Sequence, residues 1–176
     1  MDAPQAPWLE LLLLRHGIAA PGTPDALRPL SPAARQRTSA VVERLVQRQL
    51  QCSRLFSSPL RRAWQTAELA VAGGLAPAIE CAEALAPQGD ALAWLGQLAA
   101  GAPLDGQRWL LVGHEPDLSD LVAQLLGAQP GCVQLKKAGV ALLQWQPQHT
   151  RARLLLLATP KLLLQSALPT LQEQPP

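Results

Sequence analysis

Short apolar runs alternate with helical patterns along the 176 residues of this chain. The apolar runs suit buried strands and predict them at residues 9–14, 55–57, 78–81, 109–112, 140–146 and 153–157. Apolar residues at helical spacing, opened by Ser-Pro, Asp or Pro, predict helices at 32–50, 59–72, 91–100 and 116–126, the last three closed by Gly. This alternation predicts an α/β fold, a three-layer α/β/α sandwich with a mainly parallel central sheet.

The chain is expected to form a single domain over residues 1–176. No internal repeat, domain linker or low-complexity block interrupts the pattern, and the prolines at 21, 24 and 29 belong to a loop. The core is expected at about 9–160. Residues 161–176, which end in Gln-Glu-Gln-Pro-Pro, are expected to be a frayed tail.

Composition and charge exclude several classes of protein and of binding partner. A hydrophobic content of 48% with 16% charged residues excludes a disordered chain. The net charge of +2, without a lysine-rich run or interleaved aromatic and basic residues, does not favour nucleic acid. No apolar run reaches the length of a membrane span, and the first ten residues lack a basic secretory signal. Cys52, Cys81 and Cys132 are odd in number and widely spaced, which fits neither a disulfide framework nor a zinc site. We therefore expect a soluble protein of the reducing cytoplasm, with no nucleic-acid or membrane partner.

Charged residues follow three of the predicted strands. Arg15-His16-Gly17 comes after the first strand, Ser58 to Arg62 after the second, and Gly113-His114-Glu115 after the fourth. In a parallel sheet these junctions share one edge, which is where ligands bind in open α/β folds. Two helix N-termini would add N–H donors there. The sequence thus predicts a site for a small anion.

These residue types suit phosphoryl transfer through a covalent histidine. Attack on phosphorus needs a neutral imidazole, and arginines stabilise the equatorial oxygens of the transferred group. No carboxylate cluster suited to magnesium accompanies them, so neither a metal nor another cofactor is expected. Gly17 lets the backbone approach the ligand of the histidine. We expect Gly17, Arg28 and Glu115 on the substrate side, Glu115 through its backbone N–H with its carboxylate solvated.

The motifs resemble those of the histidine phosphatase, or phosphoglycerate mutase-like, superfamily. Its pattern is R-H-G, then S-S-P-L-x-R-A-x-Q-T-A, then G-H, and the chain has these in order at 15–17, 57–67 and 113–114. The resemblance implies the phosphoglycerate mutase-like fold. It also implies that His16 is the phosphorylated nucleophile and that Arg15, Arg62 and His114 bind phosphate. Arg61 occupies the variable position and is expected at the surface.

Within the superfamily the chain is most similar to the short SixA-type phosphohistidine phosphatases. The matching stretches are Asp25 to Ser31, Leu85 to Asp90, His114 to Ser119 and Leu135 to Gly139. Ala34 stands where that helix usually has glycine. Pro87 stands where the mutase branch has a glutamate general acid.

The missing acid bears on the substrate, because a phosphomonoester leaves as an alkoxide and benefits from a proton donor, whereas a phosphorylated imidazole needs less help. The short chain between Cys81 and Asp90 leaves little length for a lid. The resemblance implies hydrolysis of phosphohistidine on a signalling protein, such as a histidine phosphotransfer-type domain, with inorganic phosphate as product. The alternatives are a phosphomonoesterase acting on small phosphorylated molecules and a non-catalytic module that binds phosphate or phosphoproteins.

Overall fold

The computed structural model describes residues 8–102, 104, 106–147 and 152–165, and these form a six-stranded sheet. The strands are β1 (Leu9–Arg15), β2 (Arg54–Ser57), β3 (Glu80–Cys81), β4 (Gln107–Gly113), β5 (Val140–Trp145) and β6 (Arg153–Ala158). Their order is β3-β2-β4-β1-β5-β6. The first four strands are mutually parallel, while β5 runs antiparallel to β1 and to β6. The predicted strands and the mainly parallel sheet are confirmed.

Helices cover both faces of this sheet. Within the described ranges they are α1 (Pro32–Gln47), α2 (Arg61–Ala72), α3 (Ala91–Ala100), α4 (Asp117–Leu126) and α5 (Pro160–Leu164), with short 3-10 helices at Asp25–Leu27 and Glu83–Leu85. One core cluster joins α1, α2 and α5 to the sheet, and the other joins α3 and α4 to its opposite face. The predicted three-layer α/β/α sandwich is therefore confirmed.

The leucine run of β1 serves both cores. Leu11 and Leu13 belong to the cluster beneath α3 and α4, whereas Leu12 and Leu14 belong to the cluster beneath α1 and α2. All four side chains are fully buried. Because successive residues of a strand point to opposite faces, a strand covered on both sides needs an unbroken apolar run. The next two residues, Arg15 and His16, continue this alternation, so their side chains point to opposite faces of the sheet.

Helix α1 begins as expected and ends three residues early. The Ser31 hydroxyl accepts a hydrogen bond from the Ala34 N–H, and Pro32 occupies the first turn. At the other end Gln49 adopts a left-handed φ of 58°, and the Leu50 N–H donates to the Leu45 carbonyl. This is a Schellman-type ending. A glutamine in the left-handed position carries no glycine signal, so the sequence pattern extends the helix too far.

The end of the chain differs from the frayed tail expected from residue 161. Residues 160–164 form α5, in which the Thr159 hydroxyl accepts a hydrogen bond from the Leu162 N–H and the Leu163 side chain is buried against the α1/α2 core. A capped turn with a buried leucine keeps the chain packed to Leu164. The rest of the expected tail, residues 166–176, and Gln148 of the expected final turn lie outside the described residues. No helix in the described ranges is both long and apolar enough to cross a membrane.

Candidate active site

The register of the sheet brings the three predicted junctions together. Arg15 pairs with Gly113, and Ser57 pairs with Val112, so the three strands end almost level. The His16 N–H donates to the Gly113 carbonyl at 3.1 Å, which continues the ladder by one residue. His16 and His114 consequently leave the sheet side by side, with their ring centroids 4.9 Å apart.

The ring of His16 has a fixed tautomer. Its Nδ1 lies 2.6 Å from the Gly17 carbonyl oxygen, which only accepts, so Nδ1 carries the proton. The lone pair is then on Nε2, which accepts a hydrogen bond from Arg62 Nε at 3.3 Å. Burial lowers the pKa of His16 to about 3, and the neighbouring His114, Lys137 and Arg62 also lower it. The imidazole is therefore neutral at physiological pH, as a nucleophile must be.

Gly17 is required by the packing of α1. A Cβ at this position would lie 2.6 Å from the Thr38 hydroxyl oxygen and 3.1 Å from a Leu30 methyl carbon. Its N–H donates to the Thr66 hydroxyl at 3.2 Å, and that hydroxyl donates to the Arg62 carbonyl at 2.8 Å. The Gly17 N–H is thus occupied, and its carbonyl orients His16. The glycine therefore permits a close approach to α1, and its role toward a ligand stays a prediction.

Arg62 is a buried guanidinium that faces the 3-10 helix Asp25–Leu27. Nη1 donates to the Asp25 carbonyl at 2.9 Å, and Nη2 lies 3.0 Å from the Asp25 carboxylate. Arg28 binds the same carboxylate at 2.9 Å, and its Nε donates to the Ala20 carbonyl. The hydrogen bond from Arg28, followed by the attraction of Arg62, holds the pKa of Asp25 below its ordinary value. Arg28 is thereby placed at the mouth of the site.

Two buried nitrogens at the site have no hydrogen-bond partner among the described residues. Arg15 donates through Nη1 to the Leu135 carbonyl at 2.8 Å, but its Nε is unpaired. His114 Nε2 lies 2.8 Å from the Ser58 hydroxyl, while its Nδ1 is unpaired. Burial, followed by the charge of Arg62, lowers the pKa of His114 to about 4. Unpaired buried nitrogens are costly. Arg15 Nε can donate a hydrogen bond to an oxyanion, and so can His114 Nδ1 in the tautomer in which it carries the proton.

Glu115 supports the site from the side of α4. Its carboxylate accepts hydrogen bonds from the Ser119 hydroxyl at 2.8 and 2.7 Å, and burial raises its pKa. The same hydroxyl accepts from the Leu135 N–H at 3.0 Å. Glu115 thus fixes the loop whose carbonyl holds Arg15. The expectation of a solvated Glu115 carboxylate is wrong, because α4 begins at Asp117 and places Ser119 beside it.

Three residues at the site were given no part in the chemistry by the sequence, namely Asp25, Thr66 and Lys137. Lys137 lowers the pKa of His16, and its own pKa is lowered by burial and by Arg15, Arg62 and Arg28. It adds a cation to the half-buried Arg15 and the buried Arg62. The sequence feature that could have identified Lys137 is its position just before β5, because β5 pairs with the end of β1.

The start of α2 differs from the expected start near Ser58. Helix α2 begins at Arg61, and Ser58 remains in the preceding turn.

The position at which the mutase branch has its glutamate supplies no carboxylic acid, and the carboxylate of nearby Asp90 is engaged elsewhere. Pro87 is exposed after the 3-10 helix Glu83–Leu85. The Asp90 carboxylate caps α3 by accepting from the Ala93 N–H at 3.0 Å. A neutral histidine of fixed tautomer, in contact with the Arg62 guanidinium at the carboxyl edge of a parallel sheet, is suited to phosphoryl transfer.

Comparison with known proteins agrees with this chemistry. Residues 11–86 match the family described as the histidine phosphatase superfamily, branch 1. An uncharacterized protein of Picosynechococcus is 38% identical over 164 residues, which cover 89% of this chain and 99% of the relative. The chain belongs to the histidine phosphatase superfamily. Family and fold together support a phosphatase, that is, a hydrolase acting on phosphorylated substrates.

Solved structures show the same fold. The protein histidine phosphatase SixA complexed with tungstate has a TM-score of 0.76 at 24% identity, over 87% of this chain and 98% of that one. A protein assigned as a SixA phosphohistidine phosphatase from Nakamurella multipartitia has a TM-score of 0.69 at 24% identity, over 88% and 98%. A mycobacterial glucosyl-3-phosphoglycerate phosphatase has a TM-score of 0.64 at 20% identity, over 86% and 99%. The fold is phosphoglycerate mutase-like.

Proposed function

We propose that this protein hydrolyses phosphohistidine on a cytoplasmic signalling protein through a covalent intermediate on His16. The observation that carries the proposal is the state of His16: Nδ1 is bound to the Gly17 carbonyl, Nε2 carries the lone pair, and the pKa is lowered to about 3. A buried histidine in this state is ready to attack phosphorus without first losing a proton.

In the first step His16 Nε2 forms a bond to phosphorus while the bond from phosphorus to the substrate nitrogen breaks. The proton on Nδ1 stays on the ring, and its hydrogen bond to Gly17 stabilises the positive charge that develops there. Arg15, Arg62 and His114 stabilise the phosphoryl oxygens, with Lys137 as a further cation nearby. Water then attacks phosphorus, which frees His16 and releases inorganic phosphate. Arg28 and Asp25 lie on the substrate side.

The absence of a carboxylic acid at Pro87 favours a phosphoramidate over a phosphomonoester. An alkoxide leaving group needs a proton in the transition state, whereas imidazole leaves readily once its ring is protonated. Asp90 is engaged as a helix cap, and Glu115 is held by Ser119. A phosphomonoesterase remains the alternative, because a sugar-phosphate phosphatase shares the fold. A pure binding module is disfavoured, since binding does not require a neutral nucleophile.

The adjacent arginines Arg61 and Arg62 offer a matched test. Wild type and the variants His16→Ala, Arg62→Gln and Arg61→Gln are assayed without metal on free phosphohistidine and on a panel of phosphomonoesters. We expect no turnover by His16→Ala. Arg62→Gln should lose about 100- to 1000-fold in kcat, the usual effect of removing one transition-state donor. The exposed Arg61 should be replaceable without loss.

The products distinguish the candidates. Acid-labile phosphate on wild type but not on His16→Ala supports the covalent intermediate. Strong turnover of phosphomonoesters with none of phosphohistidine would favour the phosphomonoesterase. No turnover of either class by wild type would favour the binding module.

A further inference from the structure

A partly apolar hollow lies beside the phosphate site. It has a volume of about 340 Å³ and is lined by Ala26, Leu27, Pro59, Leu60, Arg61 and Trp64. Leu27 is 65% exposed, the highest value among the large hydrophobic side chains of the described residues, and it adjoins the other apolar side chains of the hollow. None of these side chains has a part in the chemistry described above. The hollow is therefore a surface that phosphoryl transfer leaves unexplained.

Both walls of the hollow continue directly into the site. One wall belongs to the 3-10 helix Asp25–Leu27, whose first residue binds Arg62 through its carbonyl and carboxylate. The other wall follows Ser58, whose hydroxyl lies 2.8 Å from His114. A molecule with its phosphoryl group on Arg62 and His114 therefore presents its neighbouring groups to the hollow.

We propose that this hollow binds an apolar side chain of the phosphorylated protein, next to its phosphohistidine. The inference rests on the proposed function and narrows its substrate to a protein with a phosphohistidine and an apolar residue close to it. On a helix, residues three or four positions apart lie about 5–6 Å from one another, so an apolar residue one turn from the phosphohistidine is the nearest candidate to occupy the hollow. The exposed Arg61 guanidinium at the rim complements an acidic residue beside that apolar group.

Synthetic helical peptides test the inference. Each carries one phosphohistidine and either Leu or Ser one helical turn away. Partial burial of a leucine side chain is worth about tenfold in kcat/KM, so wild type should prefer the Leu peptide by about that factor. Leu27→Ser and Trp64→Leu should reduce the preference to near one. Both variants should hydrolyse free phosphohistidine as wild type does, which shows that they are folded.

Leu162→Ser is the matched control, because Leu162 is similarly exposed, at 46%, but lies on α5. It should keep the full preference for the Leu peptide. Equal rates on the two peptides with wild type, while free phosphohistidine is hydrolysed, would overturn the inference and leave the proposed function standing. Failure of wild type to hydrolyse any phosphohistidine compound would overturn the proposed function, and the inference with it.

Discussion

The Thr66 hydroxyl joins the two main parts of the site, and replacing it by a methyl group should cost both stability and activity. It accepts a hydrogen bond from the Gly17 N–H and donates one to the Arg62 carbonyl. Thr66→Val keeps the shape of the side chain but leaves the buried Gly17 N–H without a partner. Such a loss costs about 1–3 kcal/mol in the free energy of unfolding. For a chain of this length, the corresponding fall in Tm is about 2–10 °C.

The effect on catalysis follows from the same contact. Gly17 orients His16 through its carbonyl, so a shift of Gly17 moves the attacking nitrogen. A displacement of about 1 Å costs on the order of 100-fold in rate. We therefore expect Thr66→Val to lower kcat for phosphohistidine by about 10- to 100-fold, with a smaller change in KM.

Thr66→Ser separates the hydroxyl from the methyl group. It keeps both hydrogen bonds and loses one buried carbon, worth about 0.8 kcal/mol. Thermal unfolding and steady-state kinetics on the three proteins should place the Ser variant close to wild type in kcat. If the Val variant is as stable and active as wild type, or if the Ser variant loses as much activity as the Val variant, the hydrogen-bonded link has no such role.

Three further predictions concern the same residues. Gly17→Ala should destabilise the fold by about 1–3 kcal/mol through the contact with the Thr38 hydroxyl, and adding Thr38→Ala should recover part of this in urea unfolding; additive losses would contradict the contact. The pKa values of His16 and His114 are lowered to about 3 and about 4, so as the pH falls the unfolded chain protonates these histidines at a higher pH than the folded protein does. The free energy of unfolding should therefore fall below pH 6.5, by up to about 1.4 kcal/mol per pH unit per histidine, and less steeply in His114→Gln. Inorganic phosphate should raise the Tm of wild type and have little effect on that of Arg15→Gln; an equal rise in both would exclude Arg15 from the phosphate site.

The sequence predicts the parts of the site that depend on strand order. Arg15, His16 and His114 come immediately after, or at the end of, parallel strands, and the rule that such ends share an edge suffices to bring them together. The placement of Arg62 at the same edge can also be predicted, because α2 starts just beyond β2. The fold can be predicted from the sequence as well, because strands and helices alternate with clear breaks between them.

The remaining parts depend on loop geometry, which the hydrophobic pattern does not encode. Asp25 reaches Arg62 only because a 3-10 helix forms in a segment that the pattern describes as loop. The burial of Lys137 depends on how the segment before β5 passes the end of β1. Glycine at position 17 indicates a close approach, but the sequence does not say that the approaching atom belongs to Thr38.

The alternation of side chains along β1 has a consequence for how mutations spread through this protein. Arg15 continues the series that faces α3 and α4, where it binds the Leu135 carbonyl, whereas His16 continues the series that faces α2 and Arg62. The candidate site is thus anchored in two separate hydrophobic cores. We expect that loosening either core displaces one member of the pair, so that substitutions far from the site, in either half of the molecule, would reach its geometry.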